Sequence, residues 1–172
     1  MDLTSGPGDL KPAAGRGTSP TAHSHVYGHP VAAYLLIASA TDELLVVHPA
    51  NAPEQWHLPG GIVEQYESPL DTARREALEV LGLDLNLREN DLLSVEWIKA
   101  TRPRRRNRLA FLFAGPVLTA ADTEHIRVQN EELDGWRWAS RAEARAVLHP
   151  AVAAQVALPL ERAGRALYCE IR

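Results

Sequence analysis

The chain reads as an α+β domain in which a mixed β-sheet lies between helices. Three observations carry that expectation. Apolar runs of strand length dominate from residue 31 onward, one well-capped amphipathic helix interrupts them, and helical patterns close the domain.

The elements follow in order. Residues 1–28 are rich in Gly, Pro, Ser and Thr and poor in large apolar groups. Such a segment buries too little surface to offset its ordering entropy, and is expected to be a disordered tail. It carries His23 and His25, with His29 just beyond. A solvated tail and a metal-binding tract are the two readings, and no downstream Cys/His cluster completes a metal site. Residues 29–172 are expected to form a single domain. Residues 31–38 and 44–47 are strands joined by a turn at Thr41 and Asp42, a hairpin. Trp56, His57 and Leu58 form a short extended piece that ends at Pro59-Gly60-Gly61. Residues 92–100 and 109–114 are further strands, joined by an arginine-rich loop, and Trp136-Arg137-Trp138 alternates as a strand does. Ser140 and Glu143 have capping-box spacing and open a helix to about Leu148. His149-Pro150 breaks it, residues 151–163 form another helix stopped by Gly164, and residues 167–171 are a last extended piece.

Composition narrows the function classes. The chain has 172 residues and a net charge of −4, so nothing favours general nucleic-acid binding. A single cysteine, Cys169, excludes an intrachain disulfide framework and fits a reducing compartment. The opening residues hold no apolar signal core, and no run approaches the length of a membrane span. The expected setting is the cytoplasm, with no membrane partner; a homodimer is the assembly state left open.

The chemistry is concentrated in residues 61–83. Ser68 is a good N-cap, Pro69 suits the first helical position, Asp71 falls at N3, and Gly82 is the expected stop. Residues 69–81 should therefore be one helix. On a wheel, Leu70, Ala73, Ala77 and Leu81 share a core-facing side, while Arg75, Glu76 and Glu79 fall opposite. Glu76 and Glu79 are neighbours at i,i+3, and their like charges repel unless a cation lies between them. Mg²⁺ takes hard oxygen ligands, and glycines before the helix let backbone approach a ligand closely. A metal–phosphate site and a solvated acidic helix face both satisfy this pattern.

The same stretch resembles the Nudix box. Gly61, Glu67, Arg75, Glu76, Ala77, Glu79, Gly82 and Leu83 all stand at the box spacing, and His57-Leu58-Pro59-Gly60 resembles its approach. The resemblance runs from about Val31 to Leu148. One position departs from it: Val80 stands where the second glutamate of the Glu-Glu pair is expected. The resemblance implies an α/β/α sandwich and a Mg²⁺- or Mn²⁺-dependent hydrolase of the diphosphate linkage in a small-molecule nucleoside diphosphate derivative. It implies roles as well. Glu76 is a metal ligand or the base that orients water, Glu79 is a metal ligand, Arg75 holds a box carboxylate such as Glu67, and Gly61 offers its carbonyl to the ion. Glu131 or Glu132, with Glu132 preferred, is the candidate for a further metal carboxylate; a solvated loop is the alternative. Loss of an anionic ligand at position 80 weakens metal affinity and the geometry of what remains. Two other functions therefore stand beside hydrolysis: a Nudix-fold binding or regulatory domain, and a Nudix-fold enzyme repurposed in biosynthesis. An isopentenyl-diphosphate-isomerase-like role would want a cysteine in the site, and Cys169 is close to the C-terminus.

Several residues carry two readings. Residues 102–108 contain five arginines, and Arg104 and Arg106 are candidates to grip a diphosphate. The alternative is a charged hairpin tip that keeps an edge soluble. Trp97 either packs in the core or stacks on a nucleobase. His48 and His57 lie near the box in sequence and are either structural or substrate-touching.

Overall fold

The structure is a computed structural model that describes residues 28–50, 55–101, 103–128, 133–148, 150–153, 156 and 167–171. The expected N-terminal tail up to residue 27, Arg102, and the candidate ligands Glu131 and Glu132 lie outside the described residues. So does most of the expected helix over 151–163.

Strand β1 (Val31–Ser39) turns at Asp42, whose φ of 61° is left-handed, and returns as β2 (Leu44–Pro49). β3 (Gly60–Ile62) leads to helix α1 (Pro69–Leu81), and a short 3₁₀ turn (Glu89–Asp91) opens β4 (Leu92–Ile98). β5 (Arg108–Leu118), α2 (Ala120–Glu124), β6 (Leu133–Ala139), α3 (Arg141–Val147), α4 (Pro150–Ala153) and β7 (Leu167–Ile171) follow. The strands make one seven-stranded sheet in the order β6-β2-β1-β5-β4-β7, with β3 also paired to β1. β1–β5 and β4–β7 are parallel and the other pairs antiparallel, so the sheet is mixed.

Alternation along the strands splits the core into two layers. Ala33, Leu35, Ile37, Leu45, Val47 and Phe113 face α1 and meet its Ala73, Ala77, Val80 and Leu81. Leu36, Leu44, Val46 and Leu112 face the other way and meet Ala144 and Leu148 near α3 and Val152 of α4, with Val156 beyond. The result is an α/β/α sandwich, and each layer is built from side chains two apart in sequence. No described helix is long and apolar enough to cross a membrane.

Three described elements are absent from the sequence reading: β3, α2 and the 3₁₀ turn Glu89–Asp91. β3 is three residues, Gly-Gly-Ile, with no side-chain alternation; its pairing with Ala32, Ala33 and Tyr34 is a backbone matter. α2 is one turn long, but its signal is present, because Thr119 and Asp122 form a capping box. β5 also runs past the expected residue 114 to Leu118, beyond a register shift opposite Leu36 and Ala38.

Candidate active site

The site is built on the first turns of α1. Ser68 Oγ accepts from the Asp71 amide at 3.1 Å, and the Asp71 carboxylate accepts from the Ser68 amide at 3.2 Å. Together they satisfy two amides that the helix itself leaves unpaired. Gly82, at φ 71°, closes the other end in the left-handed conformation that glycine takes without strain. This frame fixes which way Arg75, Glu76 and Glu79 point.

Arg75 is the hub. Its Nε donates to Glu67 Oε1 at 2.7 Å and its Nη2 to Glu67 Oε2 at 3.2 Å, a fork-on-carboxylate pairing. Its Nη1 donates to Glu76 Oε1 at 3.1 Å and to Glu79 Oε2 at 2.9 Å. Glu67 also accepts from Thr72 Oγ1 at 2.8 Å and from the Glu64 amide at 3.2 Å. The Arg75 guanidinium first, and then the Thr72 hydroxyl, hold the Glu67 carboxyl down to about 2. The same pairing, against the opposing effect of burial, raises Arg75 above its ordinary value. One cation thus ties three carboxylates, and the cluster keeps a net negative charge that a divalent ion can neutralise.

Helix geometry alone placed Glu76 and Glu79 on one outward side. In the fold they part company: the Glu79 side chain is 54% exposed and that of Glu76 only 14%. The cover over Glu76 is β3. A Cβ built on Gly61 would collide with the Glu76 carboxylate, so only glycine lets that carboxylate rest against the strand. Gly60 is constrained differently. Its φ is 142°, and a Cβ there would strike the Ala33 carbonyl and Tyr34 Cα.

The donor set suits a hard divalent cation of limited protein coordination. Among the described residues no three acidic, His or Cys side chains converge as a metal cage. Mg²⁺ is commonly held by one or two carboxylates plus water and substrate phosphate, and Glu76, Glu79 and the Gly61 backbone are a set of that kind. Val80 adds nothing to it. It is 5% exposed and packed in the α1 core layer.

The register also places the arginine-rich loop. Ala32 pairs with Ile62, Val31 with Leu109, and Ile98 with Arg108, so the β4–β5 connection lies at the same end of the sheet as the box loop. Arg104 and Arg106 are exposed there, and Arg106 donates to the Gly28 carbonyl at 3.2 Å. Trp97 is half-buried, with its ring edge-on to His29 at 4.8 Å, and belongs to neither main core layer. His48 stacks at a tilt on Trp56 at 4.9 Å and faces Asp134 at 3.4 Å. Arg137 lies over the Trp56 ring at 4.7 Å. His57 exchanges backbone hydrogen bonds with Val47.

Sequence reading missed a second polar group at this end. Glu96 is 1% exposed, on the sheet face away from α1, and accepts from Ser94 Oγ at 2.7 Å. Burial pushes its carboxyl up to about 7, against the Ser94 hydrogen bond and the charge of Arg108. A signal existed: in Leu-Leu-Ser-Val-Glu-Trp-Ile the polar Ser94 and Glu96 share one face with Ile98.

A glycine-rich strand, a loop glutamate, and an Arg-Glu pair on the following helix stand together on a mixed sheet between helices, and that architecture is the Nudix fold. The NUDIX domain model matches residues 28–158, and the chain belongs to that family. No curated protein matches it in sequence. Among solved structures it is similar to a UDP-X diphosphatase at 16% identity and TM-score 0.63, covering 87% of this chain and 70% of that one. It is similar to a MutT protein from Methanosarcina mazei Go1 at 20% identity and TM-score 0.60, covering 80% and 94%. An Ap4A hydrolase of C. elegans gives 18% identity and TM-score 0.60, covering 74% and 92%. At these identities the likeness is one of fold.

Proposed function

We propose that this protein hydrolyses the diphosphate linkage of a nucleoside diphosphate derivative with the help of Mg²⁺ or Mn²⁺. The observation that carries this reading is the Arg75 fork on Glu67, which presents Glu76 against Gly61 and Glu79 one turn along. The names of two fold relatives, an Ap4A hydrolase and a UDP-X diphosphatase, support the substrate class.

In the reaction, water attacks one phosphorus, the bond from that phosphorus to the bridging oxygen breaks, and the second phosphoryl group leaves with that oxygen. A divalent cation, when bound, would supply charge neutralisation at the phosphoryl oxygens. Glu76, Glu79 and the Gly61 carbonyl are the groups that would hold it. Glu76, largely shielded from solvent and oriented by Arg75, would also orient the attacking water. Arg75 keeps Glu67, Glu76 and Glu79 in register. Arg104 and Arg106, at the same end of the sheet, are the candidates for the distal phosphate, and Trp97 beside them for contact with the rest of the substrate.

The experiment is a Mg²⁺ and Mn²⁺ titration with phosphate detection over nucleotide sugars, dinucleotides and nucleoside triphosphates. Glu76→Gln is expected to weaken Mn²⁺ binding and abolish turnover, whereas Glu64→Gln, in the exposed loop, leaves both near wild type. Equal effects of the two substitutions would place the site elsewhere. A second reading, a Nudix-fold binding domain, is favoured by one observation: Val80 turns its side chain into the core where a carboxylate is expected. Mn²⁺ and nucleotide binding without cleavage of any substrate in the panel would select it.

A further inference from the structure

The polar group on the sheet face opposite α1 has features that a purely structural cluster lacks. Glu96 is buried, yet its only hydrogen bond among the described residues comes from Ser94. A carboxylate accepts about four such bonds. Arg108 Nε is buried and has no hydrogen-bond partner among the described residues. The two do not close on each other as an ion pair. Glu96 lies opposite Ala110, and Arg108 opposite Ile98, so they are diagonal neighbours across β4 and β5. Such neighbours have backbones roughly 7–8 Å apart, within reach of long side chains, yet among the described residues no hydrogen bond or ion pair joins these two, so each keeps polar capacity that a ligand edge could use.

The cluster also adjoins the box. Tyr34 shares the sheet face of Glu96 and packs against both Ala110 and the α3–α4 layer. Its ring lies against Gly60, one residue before Gly61. Burial raises its hydroxyl above the ordinary value, and the charges of Arg108, Glu96 and Glu76 all act on it. Tyr34 therefore stands between the box carboxylate and the buried pair.

We infer that Glu96 and Arg108, with Tyr34 as a wall, read the base of the substrate, and that they select a base whose edge carries an N–H beside a carbonyl: guanine or uracil rather than adenine or cytosine. Glu96 accepts from the ring N–H and Arg108 Nε donates to the carbonyl. Adenine and cytosine present an unprotonated ring nitrogen at that position, which faces the carboxylate with a lone pair and leaves Glu96 unsatisfied. A site with buried hydrogen-bonding groups rejects the ligand that fails to pair with them. Ser94 is the positioning residue, since its hydroxyl orients the Glu96 carboxylate. This inference rests on the hydrolase reading for the kind of ligand, and its test separates the two.

The test uses the full chain at about pH 8, where Glu96 is ionised. Hydrolysis is followed with ADP-, CDP-, GDP- and UDP-glucose, a series in which only the base differs. Binding of AMP, CMP, GMP and UMP is measured by calorimetry. Wild type should favour the guanine and uracil ligands by at least about tenfold in both assays. Glu96→Gln should weaken the guanine and uracil ligands and strengthen the adenine and cytosine ones, because its amide donates to the unprotonated ring nitrogen, and Arg108→Met should narrow the preference by weakening the guanine and uracil ligands most; a merely structural role would lower all four together. Ser94→Ala should reduce the preference in part, and carries the test with Arg108→Met if Glu96→Gln does not fold. Hydrolysis without base preference overturns this inference and leaves the hydrolase standing. Selective GMP and UMP binding, lost in the variants, with no hydrolysis of any substrate, sustains the inference and removes the hydrolase. A preference for adenine or cytosine, or no binding of any of the four, overturns it.

Discussion

Replacing Glu96 by glutamine should flatten the pH dependence of stability between acid and neutral pH. The unfolded carboxyl titrates near 4.5, and burial raises the folded one to about 7. Between those values the folded protein holds a proton that the unfolded chain has released. Its contribution to stability is therefore fully present below pH 4.5 and is lost as pH rises through about 7. Each pH unit is worth about 1.4 kcal/mol, so the interval amounts to an upper bound of about 3 kcal/mol. Glutamine keeps the shape, can accept from Ser94 Oγ through its amide oxygen, and does not titrate. At about pH 5 the two proteins should differ by less than about 1 kcal/mol. At about pH 8.5 the variant should be the more stable by about 2–3 kcal/mol, or roughly 4–12 °C in Tm for a chain of this size. Urea unfolding followed by tryptophan fluorescence at both pH values measures it, and the difference between wild type and variant cancels every group they share. Parallel stability curves across that range would refute the argument, because they would mean that Glu96 keeps its water or finds another cation.

The two glycines of β3 should separate chemistry from folding. Gly61→Ala should leave stability within about 1 kcal/mol, since the clash is with the movable end of Glu76, yet cut kcat by about tenfold or more through misplacement of that carboxylate. Gly60→Ala meets backbone at a positive φ and should lower stability by about 2 kcal/mol or more; equal thermal shifts for the two would sink this account. Val80→Glu should cost about 3 kcal/mol or more, because it sets an unpaired carboxylate in the α1 core layer. A variant of wild-type stability with tighter Mn²⁺ binding would show instead that the side chain turns to the site. Ser68→Ala should lower Tm by roughly 2–4 °C for the loss of one N-cap, with no change in base preference.

Much of this protein was legible in the chain because its signals are local. Ser68, Pro69, Asp71 and Gly82 mark both ends of α1, since capping is settled by residues within one turn of the end. The wheel of that helix put Ala73, Ala77 and Leu81 toward a core and set Arg75 and the two glutamates apart from them, where the structure has them. Strand alternation located β1, β2, β4, β5 and β6 and, with the closing helices, the α+β class. Tertiary structure decided the rest. β3 exists because Ala33 and Tyr34 offer backbone partners, a fact that two glycines and an isoleucine do not announce. Glu76 became sheltered because β3 lies over it, and Val80 went inside because it packs with Ala73, Ala77 and Leu81 against the sheet. Glu96 and Arg108 came to share a face with Tyr34 through the registers of β4 on β5 and β5 on β1, which span residues up to 79 apart. A helix end or an alternating strand is written within a few residues. A pairing register depends on side chains far apart in the chain finding one another, and only the assembled sheet records the result.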